Sequence, residues 1–142
     1  MKRLLVTLLL LLPAVASAQL YHPGEELRYS VSYRARFFPN TEVATVTVRT
    51  SEEEFEGKKV RKVVGHGKTL PTYRLFFTLD DYYTLRIDPA TLRTLEYESD
   101  VREGSYTFRS RFDYDWERMR VDTRWAKREE PEQRKTMPLT RE

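Results

Sequence analysis

Asp81, Ser99, Ser110 and Thr123 are the polar residues of this sequence whose spacing could bring them together for chemistry. Each interrupts a run in which alternate residues are apolar or aromatic. Phe77, Leu79, Tyr83, Leu85 and Ile87 surround Asp81, and Leu95, Tyr97 and Val101 surround Ser99. Tyr106, Phe108, Phe112 and Tyr114 surround Ser110, and Met119, Val121 and Trp125 surround Thr123. Successive residues of a strand point to opposite faces, so a period of two collects such a set on one side of a sheet. A carboxylate and three hydroxyls in a row, walled by Tyr83, Tyr97 and Phe112, make a binding groove. Its apolar walls would hold a lipid-like or aromatic ligand, and the polar row would orient the ligand's head. The same row has a structural reading, in which small residues make room for the segment around Tyr73 to Phe76 and Asp81 bonds to hydroxyls or backbone.

Other reactive residues are sparse. His66 is a lone histidine on a strand, a type of position more often structural than catalytic, and His22 lies near the start of the domain. Asp80 and Asp81 are adjacent in a strand and so point to opposite faces, where they cannot act as a paired acid and base. With Asp113 and Asp115 they are short acidic pairs, not a converging metal site. The sequence holds no glycine-rich phosphate loop, no nucleophile arrangement and no cysteine. No metal, no cofactor and no enzymatic activity are expected.

The elements that must position the row are strands. Phe76 to Trp125 reads as four strands in series, lacking the three-and-four apolar spacing of an amphipathic helix. Gly104-Ser105 suits a two-residue type II′ turn, which sets Val101 opposite Phe108 and Tyr97 opposite Phe112, with Asp100 opposite Arg109 and Glu98 opposite Arg111 on the reverse. Opposite charges across strands support such a register by about 0.2–1 kcal/mol per pair. A four-residue turn over Asp115 to Arg118 predicts Phe112 opposite Val121, Phe108 opposite Trp125, Asp113 opposite Arg120 and Arg111 opposite Asp122. A five-residue turn over Asp88 to Leu92 predicts Ile87 opposite Arg93 and Tyr83 opposite Tyr97. Asp81 would then face Ser99, Ser99 would face Ser110, and Ser110 would face Thr123.

Upstream, Pro23-Gly24-Glu25 leads into a strand at Glu26 to Phe38. Pro39-Asn40 is the expected turn into Thr41 to Thr50, with Tyr33 opposite Val46 and Val31 opposite Val48. Ser51 to Gly57 reads as a charged loop and Lys58 to Lys68 as a third strand, in which Gly65 and Gly67 mark a bulge or a close approach. Thr72 to Leu75 is expected to form a short helical turn over the sheet. From Ala126 the composition turns polar, and residues 127–142 are expected to be a disordered tail.

Met1 to Ala18 has the form of a secretory signal: Lys2 and Arg3, the apolar run Leu4 to Leu12, and a small-residue cleavage site at Ala16-Ser17-Ala18. That run is shorter than the roughly 20 residues a membrane-spanning helix needs. Cleavage would remove two of the 25 basic residues and lower the formal net charge of +3 by two. The expected product is an exported protein, periplasmic or secreted, with one β domain over residues 19–126 and no transmembrane segment. Its charges are of mixed sign, without the one-signed basic patch of a nucleic-acid surface.

Gly24-Glu25-Glu26-Leu27-Arg28-Tyr29-Ser30-Val31-Ser32-Tyr33 resembles the opening of the bacterial exported family called domain of unknown function 3108. Asp81 in its strand, Ile87-Asp88-Pro89-Ala90-Thr91-Leu92, Arg102-Glu103-Gly104-Ser105-Tyr106 and Phe112-Asp113-Tyr114 extend the likeness, which covers Pro23 to Trp125. The resemblance implies an exported cell-envelope protein of curved antiparallel sheet and brings no activity, substrate or catalytic residue with it. Family members usually carry further strands, which implies either a short variant or the first half of a longer domain. The fold expected is all-β: a curved antiparallel meander of about seven strands, as a half-barrel or an open lipocalin-like barrel. The function expected is a non-enzymatic carrier for a lipid-like ligand. The alternative is an adaptor that pairs through a sheet edge with an envelope protein.

Overall fold

Eight antiparallel strands form one open sheet in strict chain order. The computed structural model describes residues 22–35 and 38–140, so the signal-like segment lies outside the described residues. The strands are β1 (Glu26–Ala35), β2 (Phe38–Phe55), β3 (Lys58–Thr69), β4 (Asp80–Ile87), β5 (Thr94–Glu103), β6 (Tyr106–Asp115), β7 (Arg120–Lys127) and β8 (Gln133–Pro138). Among the described residues the sheet does not close, and β1 and β8 are its edges. Between β3 and β4 a single 3-10 turn, Pro71–Tyr73, falls where a short helical turn is expected.

The alternation read from the sequence is realised as two chemically different faces. One row of cross-strand neighbours runs Leu27, Val48, Gly65, Tyr83, Ser99, Ser110 and Trp125, and the next runs Val63, Leu85, Tyr97, Phe112 and Thr123. The reverse face carries Lys62, Arg86, Glu96 and Asp113 in one row and Thr84, Glu98, Arg111 and Arg124 in another. The β5–β6 hairpin has the predicted register, with Val101 opposite Phe108, Tyr97 opposite Phe112, Asp100 opposite Arg109 and Glu98 opposite Arg111. Gly104, at φ 58°, supplies the left-handed first position that a type II′ turn requires.

Elsewhere the turns differ from expectation, and each difference has a local cause. The β4–β5 connection closes on Asp88, whose carboxylate accepts the N–H groups of Ala90 (2.8 Å) and Thr91 (3.1 Å), with Leu92 left-handed at φ 58°. A bulge at Arg86/Ile87 shifts the ladder so that Tyr83 faces Ser99, Leu85 faces Tyr97 and Ile87 faces Thr94. In the β6–β7 hairpin Asp115 accepts the Arg118 N–H at 2.9 Å and Met119 turns left-handed at φ 51°. Asp115 thereby leaves the expected turn and pairs with Arg120, which sets Phe112 opposite Thr123, Phe108 opposite Lys127 and Ser110 opposite Trp125. The faces are kept, but like charges now stand opposite: Arg111 and Arg124, Asp113 and Asp122. They are relieved along and diagonally across the strands by Arg111–Asp113 at 2.9 Å, Arg124–Asp113 at 3.4 Å and Arg120–Asp122 at 3.3 Å.

The expected charged loop Ser51 to Gly57 is strand almost to its end. Glu52 pairs with Lys59 at 2.7 Å and Glu53 with Lys62 at 3.0 Å, and only Glu56-Gly57 turns, both residues left-handed as a two-residue type I′ hairpin requires. Pro39 does not open a turn: it is the second residue of β2, an end position that tolerates a missing N–H. A bulge in β2 then sets Val31 opposite Ala44 and Tyr33 opposite Thr41, and Tyr29 takes the place opposite Val46 expected of Tyr33. The polar tail is not disordered between Gln133 and Pro138, where it forms β8. An edge strand needs little apolar burial: Met137 lies opposite Val121, and the Thr123 hydroxyl donates to the Lys135 carbonyl at 2.8 Å.

Glu96 is the best-buried acid of the sheet, at 0% exposure. It lies between Arg86 of β4 and Arg111 of β6, each paired with its carboxylate. Removing one partner of a buried pair costs about 3–5 kcal/mol because the other charge is left uncompensated. Urea unfolding of Glu96→Ala should show a loss of that order, about 3–5 kcal/mol. Glu132→Ala, which breaks the exposed Arg134–Glu132 pair, should change stability by less than about 1 kcal/mol.

Candidate functional site

The seven residues Asp81, Ser99, Ser110, Thr123, Tyr83, Tyr97 and Phe112 share the apolar face, and three neighbouring rows hold them all. The polar row itself does not form. Ser99 and Ser110 face each other with their hydroxyl oxygens 2.7 Å apart. The bulge before Ile87 moves Asp81 one row away, opposite Gly67, where its carboxylate accepts the Arg102 N–H at 2.9 Å. The β6–β7 turn moves Thr123 beside Phe112, and its hydroxyl is taken by Lys135. All four groups are buried, and each has a partner within the protein, as buried polar groups require.

What remains open on this face is aromatic and aliphatic. Tyr97 and Phe112 pack with ring centroids 5.7 Å apart, and Tyr83 stands 37% exposed beside them. Burial, and after it the charge of Asp81, push the Tyr83 hydroxyl above its usual range, so it is a neutral donor at neutral pH. Further out, Leu27, Tyr29, Val31 and Tyr33 of β1 are all exposed. The segment expected to cover the row does not do so. The 3-10 turn buries no residue, and Leu75 and Phe76 are 94% and 82% exposed.

That segment is a pinned excursion. Thr69 and Leu79 close its neck through the Thr69 N–H to Leu79 carbonyl bond (3.0 Å) and the Leu79 N–H to Thr69 hydroxyl bond (2.9 Å). The glycine signal in β3 finds its reason here, since a Cβ on Gly67 would stand 3.2 Å from Leu79 Cδ2. The close approach is to a side chain, and β3 pairs with both neighbours without a bulge at that point.

A second concavity, a hollow of 570 Å³, is lined by Tyr82, Glu98, Asp100, Arg109, Arg111 and Arg124 of the charged face and also by Ser99, Ser110 and Trp125. At its margin the His66 ring stacks on Tyr82 at 4.0 Å, and His66 Nε2 lies 2.6 Å from Asp80 Oδ1. The sequence reading missed this constellation and the Glu96 clamp. Its signal was available: His66, Asp80 and Tyr82 occupy matching alternate positions of adjacent strands. Among the described residues no cluster of three or more potential ligands could hold a metal ion, and no helix is long and apolar enough to cross a membrane.

The hydrogen bond from His66 holds the Asp80 carboxyl below its ordinary value of 3.8. Glu53 is opposed by its own burial, but hydrogen bonds from Arg86 and Lys62 outweigh it and hold the group below 4.5. A carboxylate lowered by folding contributes stability above its unfolded value and loses it as pH falls through the folded one. The thermal midpoint should therefore be steady from neutrality to about pH 5 and fall progressively below about pH 4.5. His66→Gln should make that acid-side fall shallower, which calorimetry across the pH series would read.

The family model described as "Protein of unknown function (DUF3108)" matches residues 28–142, including the β8 segment beyond the likeness read from the sequence. No curated protein and no solved structure gives a match to the chain. The match takes in most of the sequence, and the chain belongs to this family of unknown function.

Proposed function

We propose that the chain is an exported, non-enzymatic binding module that takes an apolar, lipid-like ligand on the aromatic face of its sheet. The observation that carries this reading is a contiguous apolar face with no described segment packed over it, from Tyr33 and Tyr29 across Val48 and Tyr83 to Tyr97 and Phe112. Exposed apolar surface of this extent marks a binding surface more often than a bare exterior. Leu75 and Phe76 at the tip of the pinned excursion add the same chemistry at the end of the face. Asp81, Ser99, Ser110 and Thr123 serve as scaffold, and orientation of a ligand head falls to the tyrosine hydroxyls. Export rests on the form of Met1 to Ala18.

A non-enzymatic role fits the division of the faces. His66 and Asp80 sit on the charged face, while the Ser99–Ser110 pair sits on the other, where the neighbouring Asp81 carboxylate is engaged by the Arg102 N–H. The adaptor reading, an envelope protein added at a free sheet edge, is favoured only by the openness of the sheet.

Trp125 neighbours Ser110 on the apolar face and reports on its occupant. Protein freed of lipid and titrated with a doxyl-labelled stearate should show saturable quenching of tryptophan emission. Tyr83→Asp, at a partly exposed position, should weaken the binding about tenfold with the circular dichroism spectrum unchanged. Quenching that does not saturate, or a Tyr83→Asp variant that binds like the parent, would remove the carrier reading.

A further inference from the structure

The two edges of the sheet are not alike. On its apolar side β8 carries Lys135, and it ends at Pro138, which has no N–H to offer; charge and proline are the usual devices that keep an edge unpaired. β1 lacks them on its apolar side, where Leu27, Tyr29, Val31 and Tyr33 are exposed by 42–62%.

The direction of its backbone can be worked out. His22-Pro23-Gly24-Glu25 is a turn closed by the Glu25 N–H to His22 carbonyl bond at 3.0 Å, and the Thr50 N–H donates to the Glu25 carbonyl at 2.9 Å. Glu25 thus bonds inward to β2. Since the groups of an antiparallel strand alternate in direction, Glu26, Arg28, Ser30, Ser32 and Arg34 turn their N–H and C=O groups outward.

We infer that β1 pairs antiparallel with β1 of a second copy of this chain about a two-fold axis at Ser30, joining two sheets into one of sixteen strands. In this register Ser30 faces Ser30, Arg28 faces Ser32, and Glu26 of each protomer faces Arg34 of its partner. On the apolar face Leu27 meets Tyr33 and Tyr29 meets Val31. The outward groups meet as hydrogen-bonded pairs, and the ends carry opposite charges. A slide of one pair in one direction sets Arg28 against Arg34, and in the other it leaves no opposite charges facing. A patch that complements itself under two-fold rotation is the requirement of an isologous dimer. Glu26 is already held by Arg49 at 2.8 Å, so it is oriented toward the same face as the incoming arginine. Arg28 and Arg34 are exposed. The pairing would extend the apolar face without covering Tyr83, Tyr97 or Phe112, and it does not depend on whether that face binds lipid.

The chain has no cysteine, so single cysteines report cleanly. Hydrogen-bonded antiparallel pairs have Cα atoms about 5.5 Å apart, within the range a disulfide spans. Ser30→Cys should oxidise to a covalent dimer, whereas Ser32→Cys, about 13 Å from its own copy in this register, should not. Sedimentation of the parent should show a reversible dimer. Arg34→Glu should weaken it about tenfold by facing Glu26 with like charge, and Glu26→Arg combined with Arg34→Glu should restore it. The inference fails if the parent sediments as a monomer at 100 µM or if Ser32→Cys crosslinks as readily as Ser30→Cys. It also fails if Arg34→Glu leaves the dimer unchanged, or if β1 proves to hold a different polypeptide.

Discussion

A carboxylate without contact to water, Glu96, is the centre on which this sheet depends. Arg86 and Arg111 hold it from either side, and through them β4, β5 and β6 are tied together. Arg86 also reaches Glu53 of β2 at 2.5 Å and lies over the Phe55 ring at 5.0 Å, so the network crosses five neighbouring strands. Charges taken out of water are costly unless their partners are well placed, and here both arginines are fixed by further acids, Glu98 and Asp113 among them. Among the described residues the sheet has no second layer, so its own long side chains must supply the packing. Arginine stems are suited to this, since they cover apolar surface while their heads remain bonded.

This arrangement inverts the usual division of labour between faces. The charged face is knitted into ion pairs, a cation–aromatic contact of Arg86 over Phe55 and the stacked rings of His66 and Tyr82. The aromatic face keeps small buried residues beneath larger ones that remain partly open. A surface built in this way is available for binding because the stability of the sheet has been placed on its other side.

Much of this was legible in the sequence. Period-two alternation identified seven of the eight described strands and both faces, and the β5–β6 register followed from one glycine and two charge pairs. The site residues were correctly assigned to one face but not to one row. Their adjacency depended on turns whose left-handed positions are filled by Leu92 and Met119, residues that carry no turn signal. Cross-strand charge matching misled at the β6–β7 hairpin for a definite reason. Arginine is long enough to satisfy an acid two residues along its own strand, as Arg111 does with Asp113, so facing positions need not be complementary. The Glu96 clamp escaped because a glutamate in an alternating strand looks like any solvent-facing residue until its two neighbours are known. β8 escaped because composition reports how much apolar surface a segment can bury, while an edge strand is held chiefly by its ladder.

Among the described residues every strand of the sheet pairs only with its neighbours in chain order. Each hairpin therefore closes a short loop, and no step demands a meeting of distant segments, whose entropic cost slows most all-β proteins. Assembly can begin at a two-residue turn, Gly104-Ser105 or Glu56-Gly57, and spread outward by zippering. Loosening would run the other way, with the outermost ribbons fraying first and the Glu96 neighbourhood letting go last.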